Sequence, residues 1–173
     1  MIKPFEFYFD FVSPYSFLAH KKIRKLERRE NITIKYSPVL LGGIHNLHGI
    51  KAPAFIPAKA KFMIRDCKLI AEKNNIKFRF NSYFPIKTLN LMRGALIAKE
   101  DGFLNFYIDK IFDSIWSDGI NMNDQNIIDK IIKNMDINAK TFFLRSLSQS
   151  NKNLLKKKTD DAFEKGIFGA PTF

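Results

Sequence analysis

Cysteine occurs only once in the 173 residues, at Cys67. No internal disulfide, no Cys-x-x-Cys redox pair and no cysteine-based zinc site can therefore be built from it, and a reducing compartment is the natural setting. No stretch approaches the ~18 consecutive apolar residues of a membrane span, so no membrane partner is expected. The opening aromatic run is interrupted by Glu6 and Asp10, and no small-residue cleavage site follows it. It does not read as a signal peptide, and the cytoplasm is the expected location. Internal repeats and low-complexity linkers are also missing. What remains is 46% hydrophobic and 27% charged, the composition of an ordinary globule of one domain, or of one domain carrying an insertion.

Acidic residues are scarce as well, 17 against 29 basic, for a formal net charge of +12. Such an excess suggests nucleic acid, but 22 of the basic residues are Lys, alongside 22 Ile and 14 Asn, a mixture that fits low-GC codon usage. Residues 1–80 hold 16 basic against 6 acidic residues, and residues 81–173 hold 13 against 11. A first half of that character suits an anionic small molecule as well as a phosphate backbone. No RNP-like strand, zinc finger or basic DNA-reading helix accompanies it, so a nucleic-acid binder is kept only as an alternative, and no nucleic-acid partner is expected.

Along the chain, the aromatic segment Phe5 to Phe11 predicts a buried strand, punctuated by Ser13 and Pro14. Ser13 suits an N-cap and Pro14 a first helical position, predicting a helix from Pro14 to Arg29 with Phe17, Leu18, Ile23 and Leu26 inward and Asn31 closing it. Ile32 to Tyr36 alternates as a second strand, so the start is a βαβ unit with parallel strands. Residues 40–58 hold five Gly and Pro breakers and are expected to form a long structured loop. Helical periodicity follows over 59–74, with Phe62, Met63, Leu69, Ile70 and Ala71 on the buried side. It continues over 88–100, 103–117, 124–133, 138–147 and 150–165. The tail, GIFGAPTF, reads as the entrance to another strand. Phe5, Phe7, Phe9 and Phe11 are expected to need cover from more than one side.

Ser13 and Ser16 fall at the N-terminus of the first helix, where backbone N–H groups and the helix dipole favour an anion, a thiolate included. Taken alone, Ser13 reads more readily as a plain helix cap. His45 and His48 lack a carboxylate or Cys at ligand spacing, so no metal is expected. Cys67, with no partner in reach, reads as a structural helix residue, and Lys156, Lys157 and Lys158 read as a solvated face.

The segment SPYSFLA (13–19) after an aromatic strand, together with GIFGAPTF (166–173), resembles the thioredoxin-fold family of 2-hydroxychromene-2-carboxylate isomerases and kappa-class glutathione transferases. GIKAPAFIPAKAKFM (49–63) and FDSIWSDGIN (112–121) resemble its intervening loop and Trp-containing helix end. The resemblance implies an α/β, thioredoxin-like βαβ core split by a large all-helical insertion. On that reading the core is 1–56 and 150–173, and the insertion is 57–149. It implies glutathione as cofactor, with Ser13 holding its thiolate for addition to a conjugated or electrophilic aromatic substrate. A small aromatic substrate and a homodimer are the partners it adds. Pro14, Tyr15, Lys59, Ala170 and Pro171 would contact glutathione, Pro171 as a cis-proline, and Trp116, Asn90 and Arg93 would meet substrate. A non-catalytic glutathione or peptide binder is the alternative, while a two-cysteine disulfide oxidoreductase is excluded because SPYS has no cysteine. The sequence departs from the pattern at Ile50, where kappa-class enzymes place an Asn. The resemblance also implies a β-hairpin and a final helix after Phe173, neither of which is present here.

Overall fold

The computed structural model describes residues 5–30 and 32–173; Asn31, expected to close the first helix, lies outside them. Strand β1 (Phe5–Phe9), helix α1 (Pro14–Glu30) and strand β2 (Ile34–Pro38) form the βαβ unit. The strands pair in parallel, Phe5 opposite Ile34 through to Phe9 opposite Pro38. After α2 (Leu41–Leu47) and a 3-10 turn (Pro53–Phe55) come α3 (Pro57–Lys73), α4 (Leu89–Glu100), α5 (Leu104–Trp116), α6 (Gln125–Lys133), α7 (Ala139–Ser146) and α8 (Gln149–Glu164). The tail then returns to the sheet. Tyr8 N–H donates to the Thr172 carbonyl at 2.9 Å and Thr172 N–H donates back at 3.2 Å, an antiparallel bridge. Phe173 continues it by stacking on Phe7 at 5.1 Å.

Period-2 alternation decides the two faces of β1. Phe7, Phe9 and Phe11 share one parity and are fully buried. They are all covered from one side, where Phe112 of α5 meets Phe9 and Phe11, and Tyr36 of β2 meets Phe7 and Phe9. For these three, this corrects the expectation that the phenylalanines need cover from several sides. Phe5, at the strand's start, is 54% exposed. Tyr8 has the opposite parity and packs in a separate cluster with Val39 just after β2, Ile44 of α2, Ala162 of α8 and Ile167 beyond it.

Residues 40–58 are not one loop. Gly42 and Gly43 lie inside α2, and a Cβ on Gly43 would stand 3.1 Å from the Thr159 methyl, so the glycine lets α2 lie close on α8. The Thr159 hydroxyl also accepts the Leu40 N–H at 3.0 Å. Only Gly43 among these breakers serves packing; Gly49, at φ 65°, lies in the turn after α2, and Pro53 and Pro57 open the 3-10 turn and α3. Two helix faces also differ from expectation. Leu26 is 37% exposed, and in α3 the inward stripe is Met63, Cys67 and Ala71, at a spacing of four, which turns Phe62 and Leu69 to solvent.

On the polar rim of the sheet, Glu6 accepts from Ser37 Oγ at 2.5 Å and pairs with Lys35 at 3.1 Å. Burial alone would raise its carboxyl, but these partners outweigh it and pull it down from 4.5 to about 2. A lowered carboxylate stabilises the fold above its unfolded value and loses that contribution as pH falls through its folded one. Acid titrations of wild type and Glu6→Gln are therefore expected to converge between pH 4.5 and about 2, with the wild type more stable above that window.

Candidate functional site at the start of the first helix

The turn from β1 into α1 is fixed from below by groups distant in sequence. Phe11 donates its N–H to Met92 Sδ at 3.4 Å and accepts from Trp116 Nε1 at 2.9 Å. Asp10, only 1% exposed, takes three hydrogen bonds: Val12 N–H at 3.0 Å, Leu41 N–H at 2.9 Å and the Thr88 hydroxyl at 2.7 Å. Burial raises its pKa and the three donors oppose that rise. One carboxylate thus pins the β1–α1 turn to the starts of α2 and α4. A buried acid is tolerated because its lone pairs are used.

Above this base, Ser13 is 4% exposed. Its Oγ accepts the Ser16 N–H at 3.1 Å, which is the capping bond expected of it. The same hydroxyl donates to the Ala170 carbonyl at 2.9 Å, bringing together residues 157 positions apart. The Ala170–Pro171 peptide bond is cis. Pro14 opens the helix without an N–H, and Tyr15 N–H, in the first turn, has no acceptor within the helix. Ser16 is fully buried and its hydroxyl has no partner among the described residues. Tyr15 and residues 169–172 are half-buried, so they form the accessible surface beside Ser13.

Tyr15 donates its hydroxyl to Asp66 on α3 at 2.7 Å. Burial and the Asp66 carboxylate push the phenol well above its ordinary value, so it stays a neutral donor. Beside Asp66, burial pushes the Cys67 thiol up to about 12, which denies it a thiolate at neutral pH and agrees with its structural reading. Lys59 is exposed in the first turn of α3, roughly 10 Å along the helix from Asp66 at 1.5 Å per residue.

The substrate-facing residues are less tightly gathered. Arg93 Nη1 donates to Asn90 at 3.2 Å near the start of α4, and Arg93 Nε is buried without a partner among the described residues. Thr88, just before them, is the residue tied to Asp10, so the start of α4 is joined to the β1–α1 turn through Asp10, although no bond joins Arg93 to Ser13. Trp116 is not at this surface. It is fully buried and spends its indole N–H on Phe11, so it belongs to the core and drops out of the substrate-contacting set. His48 Nε2 lies 3.1 Å from the Ile167 carbonyl, with its ring 4.4 Å from that of Phe163. Among the described residues no group of three or more His, Cys, Asp and Glu is placed to hold a metal, and no helix is long and apolar enough to cross a membrane.

Asp10, Thr88 and Met92 were not foreseen as parts of this site. The signal for Asp10 was its charge at the end of an aromatic strand, three residues before Ser13. Thr88 and Met92 gave none, because only the tertiary fold brings α4 beneath the turn.

Comparison with known proteins places this geometry. The model of the DSBA-like thioredoxin domain matches residues 5–173. A 2-hydroxychromene-2-carboxylate isomerase of Sphingobium xenophagum is 28% identical over 99% of this chain and 88% of its own. Glutathione S-transferase kappa 1 of Caenorhabditis elegans is 25% identical over 96% of this chain and 77% of its own. The solved structure of a 2-hydroxychromene-2-carboxylate isomerase superposes with a TM-score of 0.87 at 22% identity, covering 96% of this chain and 82% of that one.

Proposed function

Because the chain belongs to the DSBA-like thioredoxin domain family yet carries serine at both ends of Ser13-Pro14-Tyr15-Ser16 and keeps its single cysteine in the core, we propose that it works with the thiol of glutathione in place of one of its own. The reaction is that of a 2-hydroxychromene-2-carboxylate isomerase or a kappa-class glutathione transferase. The observation that carries this reading is the Ser13 hydroxyl at the start of α1, hydrogen-bonded to the Ala170 backbone at 2.9 Å.

The residues fit the tripeptide. Ser13 has one hydroxyl proton, now spent on the Ala170 carbonyl. A peptide N–H arriving along the tail, as an added strand would, satisfies that carbonyl and frees the proton for a sulfur anion. Two polar groups then exchange partners and neither is left unpaired. The α1 N-terminus and the Tyr15 N–H add positive potential at the same place. Lys59 offers an ammonium to a glutathione carboxylate, and Asn90 and Arg93 offer an amide and a guanidinium to an acidic substrate. When bound, glutathione supplies a nucleophilic thiolate for a conjugated or electrophilic aromatic acceptor. A reducing cytoplasm suits such an enzyme.

A second reading has its own observation. Ser13 is nearly covered and its proton is already engaged, which suits a non-catalytic glutathione or peptide binder. Supplying glutathione with 2-hydroxychromene-2-carboxylate, and separately with a chlorinated aromatic, separates the readings. The isomerase changes the substrate spectrum without net loss of thiol, whereas the transferase consumes one thiol per product. Thermal stabilisation by glutathione without turnover identifies the binder, and the absence of both stabilisation and turnover would contradict the proposal.

A further inference from the structure

The basic residues of the first half are not evenly spread over the surface. Lys21, Arg24, Lys25 and Arg28 follow one another at i, i+3, i+4 and i+7, so they share one face of α1. That face forms a wall of a cleft of about 650 Å³, to which Lys110 of α5 and Lys77, beyond the end of α3, add two more cations. The cleft starts two turns beyond Ser13 along α1 and is separate from the site described above.

Three carboxylates also line it, and each is matched. Lys21 pairs with Asp113 at 2.6 Å, Arg24 with Asp109 at 3.2 Å and Lys77 with Asp118 at 2.7 Å. The other three cations have no carboxylate within 4.0 Å among the described residues. Lys25 donates instead to the Asn74 carbonyl at 2.7 Å, and Arg28 donates its Nε to the Arg24 carbonyl at 3.0 Å. Both side chains are thus anchored on neutral backbone oxygens, with two ammonium protons and the guanidinium Nη donors left for a ligand. Lys110 is exposed on the opposite wall. Three uncompensated cations on two facing helices make a pocket for a compact multivalent anion.

From this we propose that the cleft binds a short phosphate chain of two or three phosphates. The volume lies in the ~300–1,000 Å³ range of small-ligand sites. A continuous nucleic-acid backbone is disfavoured because Asp109, Asp113 and Asp118 stand along the same walls and Ile76 is the single apolar lining residue. A neighbouring cleft shares Arg24 and Asp109 and carries Phe106, which is 54% exposed. A planar base attached to the phosphates has a stacking partner there.

The test is calorimetric titration of the whole protein at low salt with inorganic tripolyphosphate and, separately, with ATP. The expected result is saturable binding, weakened about tenfold or more in the Arg28→Ala/Lys110→Ala double variant. That is the loss of two direct charge contacts at about 1.4 kcal/mol per tenfold. It should be unaltered in Ser13→Ala and in Lys156→Ala/Lys157→Ala, which removes equal charge from α8. Tighter binding of ATP that falls to the tripolyphosphate level in Phe106→Ala identifies a nucleotide as the source, and equal affinities identify the free phosphate chain. No binding of either at millimolar ligand would overturn the proposal. So would equal weakening by the α8 pair, or tighter binding of a duplex oligonucleotide than of tripolyphosphate. Apart from Ser13, the substituted positions are exposed, and thermal melts confirm that each variant is folded.

Discussion

Ser13→Ala is expected to lower glutathione-dependent turnover by about 10²–10³-fold, the usual cost of removing one hydrogen-bond donor aimed at a reacting anion. Turnover with a chromene-carboxylate or chlorinated aromatic acceptor measures it. The same change also removes a helix cap and the link to Ala170, costing on the order of 1 kcal/mol each, so activity and stability must be separated. Ser13→Gly does so. Glycine at an N-cap loses only a few tenths of a kcal/mol as a cap, yet it carries no hydroxyl. Ser13→Gly is expected to be as slow as Ser13→Ala while unfolding later in urea. Wild-type turnover in either variant would remove Ser13 from the chemistry and leave it a cap.

Phe112→Ala should produce the largest loss of stability. The Phe112 ring, fully buried, lies 4.9 Å from that of Phe11, 5.9 Å from Phe9, 6.0 Å from Phe17 and 5.2 Å from the His20 imidazole. It therefore joins β1, α1 and α5 at one point. His20 in turn lies 2.6 Å, Nε2 to Oδ1, from Asp109 of the same helix α5, so the backbone around the cavity is held and cannot readily collapse into it. Truncation of such a phenylalanine costs ~3–5 kcal/mol, a large part of the ~5–15 kcal/mol that stabilises a domain. Urea unfolding followed by circular dichroism measures it. A loss below about 1 kcal/mol would show that the three elements do not depend on this contact.

The βαβ unit and six later helices were legible because their signals are local: period-2 aromatics in β1, Ser13 and Pro14 at a helix start, Asp124 and Asn138 ahead of α6 and α7. Helix α2 was not, since Gly42 and Gly43 signal a loop until Thr159 is seen filling the space beside Gly43. Phe62 and Leu69 misled because an apolar side chain states a preference for burial but not a direction. Only the fixed spacing of Met63, Cys67 and Ala71 against the core turns α3. Trp116 was misplaced for a related reason, as an indole suits a pocket wall as well as a core. The pairing of Ser13 with Ala170, 157 residues apart, was accessible through family resemblance alone. Asp10 shows the limit most sharply: one charge in an aromatic strand gives no hint that three donors from separate elements wait for it.

Glutathione added to the protein at neutral pH, with ultraviolet absorbance followed for thiolate, tests the central claim most directly. The account predicts absorbance that rises to saturation at one thiolate per chain and is lost in Ser13→Ala. A flat titration in the wild-type protein, with glutathione nonetheless bound by calorimetry, would contradict it.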